Sequence, residues 1–153
     1  MKTAEQILSD KSREMVTVPS GTSIQEALKV MINHNIGSIL IKKDSQIVGI
    51  WTERDLMRDI LTEGFNPAKA IIDNYMTTGL HTAMASDSIY KLLDKFLGMR
   101  LRHLLIEKDG KIIGIVSMGD VIKTSLIEKT EELKELNTII SWEYYENWGW
   151  KGK

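Results

Sequence analysis

Short apolar runs that read as strands alternate along this chain with stretches at helical spacing, and the whole succession is written twice. Residues 1–15 predict a short amphipathic helix or an extended lead-in. Met15 to Val18 is a short strand, stopped by Pro19-Ser20-Gly21. Ser23 with Glu26 three residues later forms a capping box, and Ala27, Leu28, Met31 and Ile32 follow at helical spacing. Asn33-His34-Asn35 ends that helix. Ser38–Lys42 and Gln46–Thr52 are strands joined by a turn at Asp44-Ser45, and a second helix opens at Thr52 or Glu53 and runs to about Leu61. Gly64-Phe65-Asn66-Pro67 links to the second copy. There the order returns: Leu80–Ala83 strand-like, Asp87-Ser88 capping a helix with Ile89, Leu92, Leu93, Phe96 and Leu97, Arg102–Glu107 a strand, and Lys111–Ser117 pairing back. Asp109-Gly110 between them readily takes positive φ and is a strong hairpin signal. A helix begins near Gly119.

The repeat is legible residue by residue. Gly49-Ile50-Trp51-Thr52-Glu53-Arg54-Asp55 returns as Gly114-Ile115-Val116-Ser117-Met118-Gly119-Asp120, at an offset of 65. The same offset carries Ile7 to Ile72, Thr17 to Thr82, Ser23-Ile24 to Ser88-Ile89 and Leu40-Ile41 to Leu105-Ile106. Each copy is one unit that must bury its apolar face on the other. The expected fold is α/β: two pseudo-symmetric strand–helix–strand–strand–helix motifs, residues 1–65 and 66–125, sharing one core, with residues 126–153 as a helical extension and aromatic tail.

Composition narrows the function without naming it. The 153 residues are 42% apolar and 27% charged, ordinary for a globular chain. A net charge of −1 gives no electrostatic case for nucleic acid or an anionic membrane. With no cysteine, disulfides, thiol nucleophiles and cysteine-held metals are excluded. Met1 to Met15 lacks a signal-peptide core, and no stretch reaches the ~20 apolar residues of a membrane span, so the expected location is cytoplasmic.

Apolar matches between the copies follow from packing, but Thr52-x-x-Asp55 and Ser117-x-x-Asp120 ask for a further reason. One reading is helix capping, worth ~1 kcal/mol. The other uses the same geometry for a ligand: a helix N-terminus offers N–H groups and positive potential to a phosphate, and a carboxylate beside it can accept from two vicinal hydroxyls of a ribose. The readings are compatible.

These doubled segments resemble the signature of CBS domains, named after cystathionine β-synthase. Asn35 to Ile41 and Arg102 to Ile106 resemble the strand before the signature, and Ile72-Asp73-Asn74-Tyr75-Met76-Thr77 the opening of a second motif. The resemblance covers roughly residues 5–125. It implies a Bateman module, a pair of motifs with two clefts that bind AMP, ADP, ATP or S-adenosylmethionine, commonly as a homodimer, and that regulates a partner protein. By that resemblance Asp55 and Asp120 hold ribose hydroxyls, Thr52 and Ser117 lie near ribose or phosphate, and Arg54, Arg102 and His103 meet phosphates. Adenine would meet the first strands, at Thr17-Val18 and Thr82-Ala83. The chain departs from the pattern where Pro19 becomes Met84, where Leu104 stands in a place proline often takes, and where Trp51 is bulky enough to crowd its cleft.

No spacing of His34, His81 and His103 suits a metal, and no nucleophile with a base, P-loop or catalytic carboxylate pair is present. The expectation is a stand-alone regulatory module, not an enzyme, whose output lies in a separate effector protein. The last helix is expected to run from Asp120 to about Ile140, with Leu126, Leu133 and Ile140 at seven-residue intervals. Trp142, Tyr144, Tyr145, Trp148 and Trp150 then cover either the protein's own surface or a second subunit, or dock a different protein. The competing reading is an interaction protein with vestigial clefts that docks a partner through this helix and tail.

Overall fold

The structure, a computed structural model, describes residues 1–11 and 14–134. Two three-stranded sheets form, ordered β1-β2-β3 and β4-β5-β6. The first half holds α1 (Ala4–Lys11), β1 (Thr17–Pro19), α2 (Ile24–His34), β2 (Ser38–Lys43), β3 (Gln46–Thr52) and α3 (Glu53–Asp59). The second holds a 3-10 turn (Ile72–Asn74), β4 (Thr82–Met84), α4 (Ile89–Met99), β5 (His103–Lys108), β6 (Lys111–Ser117) and α5 (Met118–Lys134).

The repeat extends to register. β1 runs parallel to β2 with Thr17 opposite Leu40, and β4 runs parallel to β5 with Thr82 opposite Leu105. β2–β3 and β5–β6 are antiparallel, with Ser38 opposite Thr52 and His103 opposite Ser117. Even the register shift recurs, at Ile41/Lys42 and at Ile106/Glu107. The hairpins turn on pairs of positive φ, Asp44-Ser45 at 49° and 64° and Asp109-Gly110 at 51° and 75°. Two such residues in succession suit the right-handed twist of the flanking strands. Ser23 and Ser88 cap α2 and α4, each accepting from the backbone three residues on. Both helices end in left-handed residues, Asn35 and Arg100.

Each half has an apolar cluster, and each cluster borrows a segment from the other half. Ala4 and Ile7 of α1 pack with Phe96, Leu104, Ile106 and Val116, and the Ala4 and Glu5 amides donate to the Asp87 and Ala85 carbonyls at 2.9 and 3.0 Å. In return Ile72 packs with Ile24, Ile39, Ile41 and Trp51. The Ile24 amide donates to Ala70 and the Ile72 amide to Thr22, both at 2.9 Å. Gly49 and Gly114 permit this exchange. A Cβ on Gly49 would lie 2.7 Å from Met76 Cγ, and one on Gly114 would lie 2.8 Å from Leu8 Cδ2.

Trp51 does not crowd a cleft. Its side chain is fully buried in the first cluster, and its indole N–H donates at 2.9 Å to the buried Asp59 carboxylate. The second half replaces this pair by Val116 and Thr124, whose hydroxyl donates to the Asp120 carbonyl. Helix α3 ends at Asp59, two residues short of expectation. The stripe through Ile140 and the aromatic tail lie outside the described residues, beyond the Leu126 and Leu133 positions on α5.

Candidate functional site

Both hydroxyl–carboxylate pairs are closed capping boxes. The Asp55 amide donates to Thr52 Oγ1 at 3.3 Å and the Thr52 amide to Asp55 Oδ2 at 2.9 Å. The Asp120 amide donates to Ser117 Oγ at 3.1 Å and the Ser117 amide to Asp120 Oδ2 at 2.7 Å. The capping reading therefore holds in both copies, and what separates them is the rest of each carboxylate's surroundings.

Asp120 borders a cavity of about 1040 Å³ formed where the two halves meet. Thr17, Asn35, Gly37 and Ser38 line it from the first half, and His103, Ser117 and Asp120 from the second. Its floor is the meeting of β1–β2 with the β6–α5 junction, and α1 closes one side with Glu5, Leu8, Ser9 and Lys11. Lys11 Nζ donates to Asp120 Oδ2 at 2.7 Å and to the Ile115 carbonyl at 3.3 Å. Among the described residues Asp120 Oδ1 has no hydrogen-bond partner. Burial opposes the Asp120 charge, but Lys11 and the Ser117 amide outweigh it and hold the carboxyl below the usual carboxylate range.

Asp55 stands differently. Arg58, one turn along the same helix, donates to Asp55 Oδ1 at 2.5 Å, so both carboxylate oxygens have protein partners. Asp55 and Thr52 line neither the large cavity nor a smaller hollow of about 610 Å³ between α4 and α5.

The remaining expected site residues divide. Thr17 faces the large cavity, but the next side chain, Val18, and its counterpart Ala83 are buried in the two clusters. Thr82 pairs with Leu105, and its carbonyl accepts from Lys95 Nζ at 3.2 Å. Arg54 is exposed on α3 and borders neither hollow. Arg102 is exposed at the smaller hollow, and its carbonyl accepts from the Met118 amide at 3.0 Å. His103 and Ser117 border both hollows. Burial pushes His103 below its usual imidazole range, the Lys11 charge adds to this, and Asp120 acts the other way.

Two features of the helix end were not foreseen. The first amides of α5 are largely occupied, Met118 by the Arg102 carbonyl and Asp120 by the Ser117 hydroxyl, so the helix terminus offers an anion less than its position implies. Lys11 fills that role better, yet its partner lies 109 residues away, beyond the reach of any local motif. Arg58 could have been found, because residues three apart on a helix are neighbours. Among the described residues no group of three His, Asp or Glu side chains is arranged for a metal, and no helix is long and apolar enough to cross a membrane.

Comparison with known proteins agrees with this architecture. A CBS domain-containing mitochondrial protein of Arabidopsis thaliana is 32% identical over 127 residues, covering 80% of this chain. The chain spans 62% of that relative's length. The CBS-domain protein ATU1752 of Agrobacterium tumefaciens superposes with a TM-score of 0.75 at 30% identity, over 81% of this chain and 99% of that one. The CBS domain pair of protein MJ0100, solved with 5′-methylthioadenosine and S-adenosyl-L-methionine, gives 0.71 at 25% identity, over 84% and 98%. The CBS domain family itself matches twice, over residues 5–62 and 71–126, so this chain is a tandem CBS domain pair and belongs to that family.

Proposed function

We propose that this protein is a non-catalytic ligand sensor that takes an adenosine compound into the cavity beside Asp120 and passes the binding event to a partner protein. The observation that carries the reading is the composition of that cavity. It joins a strand-borne hydroxyl, Thr17, and the Gly37-Ser38 entry to β2 from one motif to Ser117 and Asp120 from the other. Asp120 is held in its charged form, and Oδ1 has no partner among the described residues, as suits an acceptor of ribose hydroxyls. The volume is of the order that small-molecule sites occupy. A related pair binds two adenosine compounds, which supports the same ligand class here. Within this reading Thr17, Ser117 and Asp120 are the binding residues, His103 borders the ligand, and Asp55, paired to Arg58, is structural.

Differential scanning fluorimetry with AMP, ADP, ATP and S-adenosylmethionine tests it. A ligand at 100 times its dissociation constant adds about 2.7 kcal/mol, a rise on the order of 5–10 °C for a chain of this size. The rise should vanish in Asp120→Ala and survive in Asp55→Ala. Flat curves for all four compounds at millimolar concentration would remove the reading.

The partner side rests on a second observation. Exposed apolar residues recur at the repeat offset: Ile32 with Leu97, Met57 with Ile122, Leu61 with Leu126. Two equivalent apolar faces on one chain fit a second copy bearing the same two faces, and patches of this kind mark interaction surfaces. The protein is then a homodimer through α2–α3 and α4–α5. Sedimentation equilibrium should give a dimer, and Leu61→Glu with Leu126→Glu a monomer. A monomeric wild type that retains a pulled-down partner through these faces would favour the interaction-protein reading instead.

A further inference from the structure

We infer that Lys11 is the charge-selecting residue of the Asp120 cavity, making it a site for adenosine compounds that carry a phosphate in preference to uncharged ones. The inference deepens the reading above and rests on it. Its basis is a competition visible in the hydrogen bonds. A carboxylate oxygen accepts about two hydrogen bonds. Asp120 Oδ2 already has two donors, the Ser117 amide at 2.7 Å and Lys11 Nζ at 2.7 Å, while Oδ1 has none among the described residues. A ribose diol that grips both oxygens must take the place of the Lys11 ammonium on Oδ2. The displaced ammonium then stands in the cavity on a flexible four-carbon stem, half-buried and in need of an anion.

The described lining of the cavity holds no second lysine or arginine for this role. Of the other described lining groups, Glu5 is paired to Lys108 at 2.6 Å, Glu14 is exposed, and the exposed His34 sets Nδ1 2.9 Å from the Val30 carbonyl of its own helix. His103 is held toward its neutral form and does not replace the cation. The α5 amides are mostly occupied by Arg102 and Ser117. A phosphate entering with the ribose meets the released ammonium and restores the ion pair that the diol broke. Adenosine alone breaks the pair and restores nothing. One residue thereby weakens the uncharged ligand and strengthens the phosphorylated one.

Isothermal titration of AMP and adenosine into wild type, Lys11→Met and Lys11→Arg separates these effects. Wild type should favour AMP. In Lys11→Met the ratio of AMP to adenosine affinity should fall roughly tenfold, the size of one hydrogen bond to a charged group, through weaker AMP binding and unchanged or tighter adenosine binding. Lys11→Arg, which keeps the charge, should retain most of the preference. The AMP advantage of wild type should shrink with added salt, and that of Lys11→Met should not. A ratio that changes less than about threefold in Lys11→Met overturns the inference. So does equal weakening of both ligands, which marks Lys11 as structural. If neither compound binds wild type, the site reading itself has failed, a result distinct from binding with an unchanged ratio.

Discussion

The two halves of this molecule agree in strand register, hairpin turns and capping boxes, and they differ in what surrounds the equivalent carboxylates. Asp55 is paired on its own helix by Arg58 and borders no described hollow. Asp120 is paired across the molecule by Lys11 and borders the large cavity. A capping box is thus a scaffold that both halves use, and on the proposed reading binding is decided by what reaches the carboxylate from elsewhere. The cores differ in parallel: a Trp51–Asp59 pair in one half stands where Val116 and Thr124 stand in the other.

The largest test of this comparison is in the cores. Trp51→Ala should cost about 3–5 kcal/mol in urea denaturation, because it opens a large cavity and strands the buried Asp59. Val116→Ala should cost about 1–2 kcal/mol, the transfer term of two methylenes. Equal losses at the two positions would mean that the halves pack alike despite the substitution. Trp51→Phe should fall between them, since it keeps most of the volume but removes the only donor to Asp59 Oδ2 among the described residues.

Next are the glycines that let each half receive the other's segment. Gly49→Ala forces Met76 aside and Gly114→Ala forces Leu8 aside, each an overpacking of about 1–3 kcal/mol. Gly49→Ala should be the costlier, because the Cβ also approaches Met76 Cβ at 3.2 Å, close to the backbone. Only Gly114→Ala should also alter ligand response, since Leu8 lies one turn from Lys11 on α1. Thermal melts with and without AMP distinguish the two, and a ligand effect from Gly49→Ala would argue against an Asp120-centred site.

Much of this architecture was legible in the chain. Gln46–Thr52 and Lys111–Ser117 were readable to the residue, because apolar runs bounded by turn-forming pairs and cap hydroxyls leave little freedom at their ends. The repeat implied paired motifs and the CBS resemblance named them. What sequence could not give was long-range placement. Periodicity does not say that α1 packs on the second half, that Trp51 turns inward to meet Asp59, or that Lys11 finds a carboxylate 109 positions away. The Ile72–Asn74 turn is too short to leave a periodic signal. Helix-end amides looked free because local spacing cannot reveal that the Arg102 carbonyl arrives to accept one of them.

Cap removal isolates the feature the halves share. Thr52→Ala and Ser117→Ala should each cost about 1 kcal/mol, nearly equal, by urea denaturation. Ser117→Ala should in addition weaken AMP binding, as its hydroxyl borders the cavity. A clear inequality in stability would show that the two boxes are not equivalent scaffolds.

The smallest effect is the acid dependence of the Lys11–Asp120 pair. Asp120 is held below its ordinary value of 3.8 in the folded chain, so on acidification the unfolded chain takes up the proton first. The pair's contribution, about 1 kcal/mol for a partly buried bridge, is therefore complete above that ordinary value and is lost as pH falls through the lower folded value. The stability difference between wild type and Lys11→Met should follow that course in urea titrations, near its maximum at pH 6 and shrinking as the pH falls below the ordinary carboxylate value. In Lys11→Met one of the groups that offset burial is gone, so Asp120 should titrate higher. An Arg58→Met variant should cost less stability than Lys11→Met at pH 6, because Arg58 is largely exposed and solvent screens its bridge to Asp55. If the two variants lost equal stability at pH 6, the contrast between the carboxylates would reduce to sequence position alone.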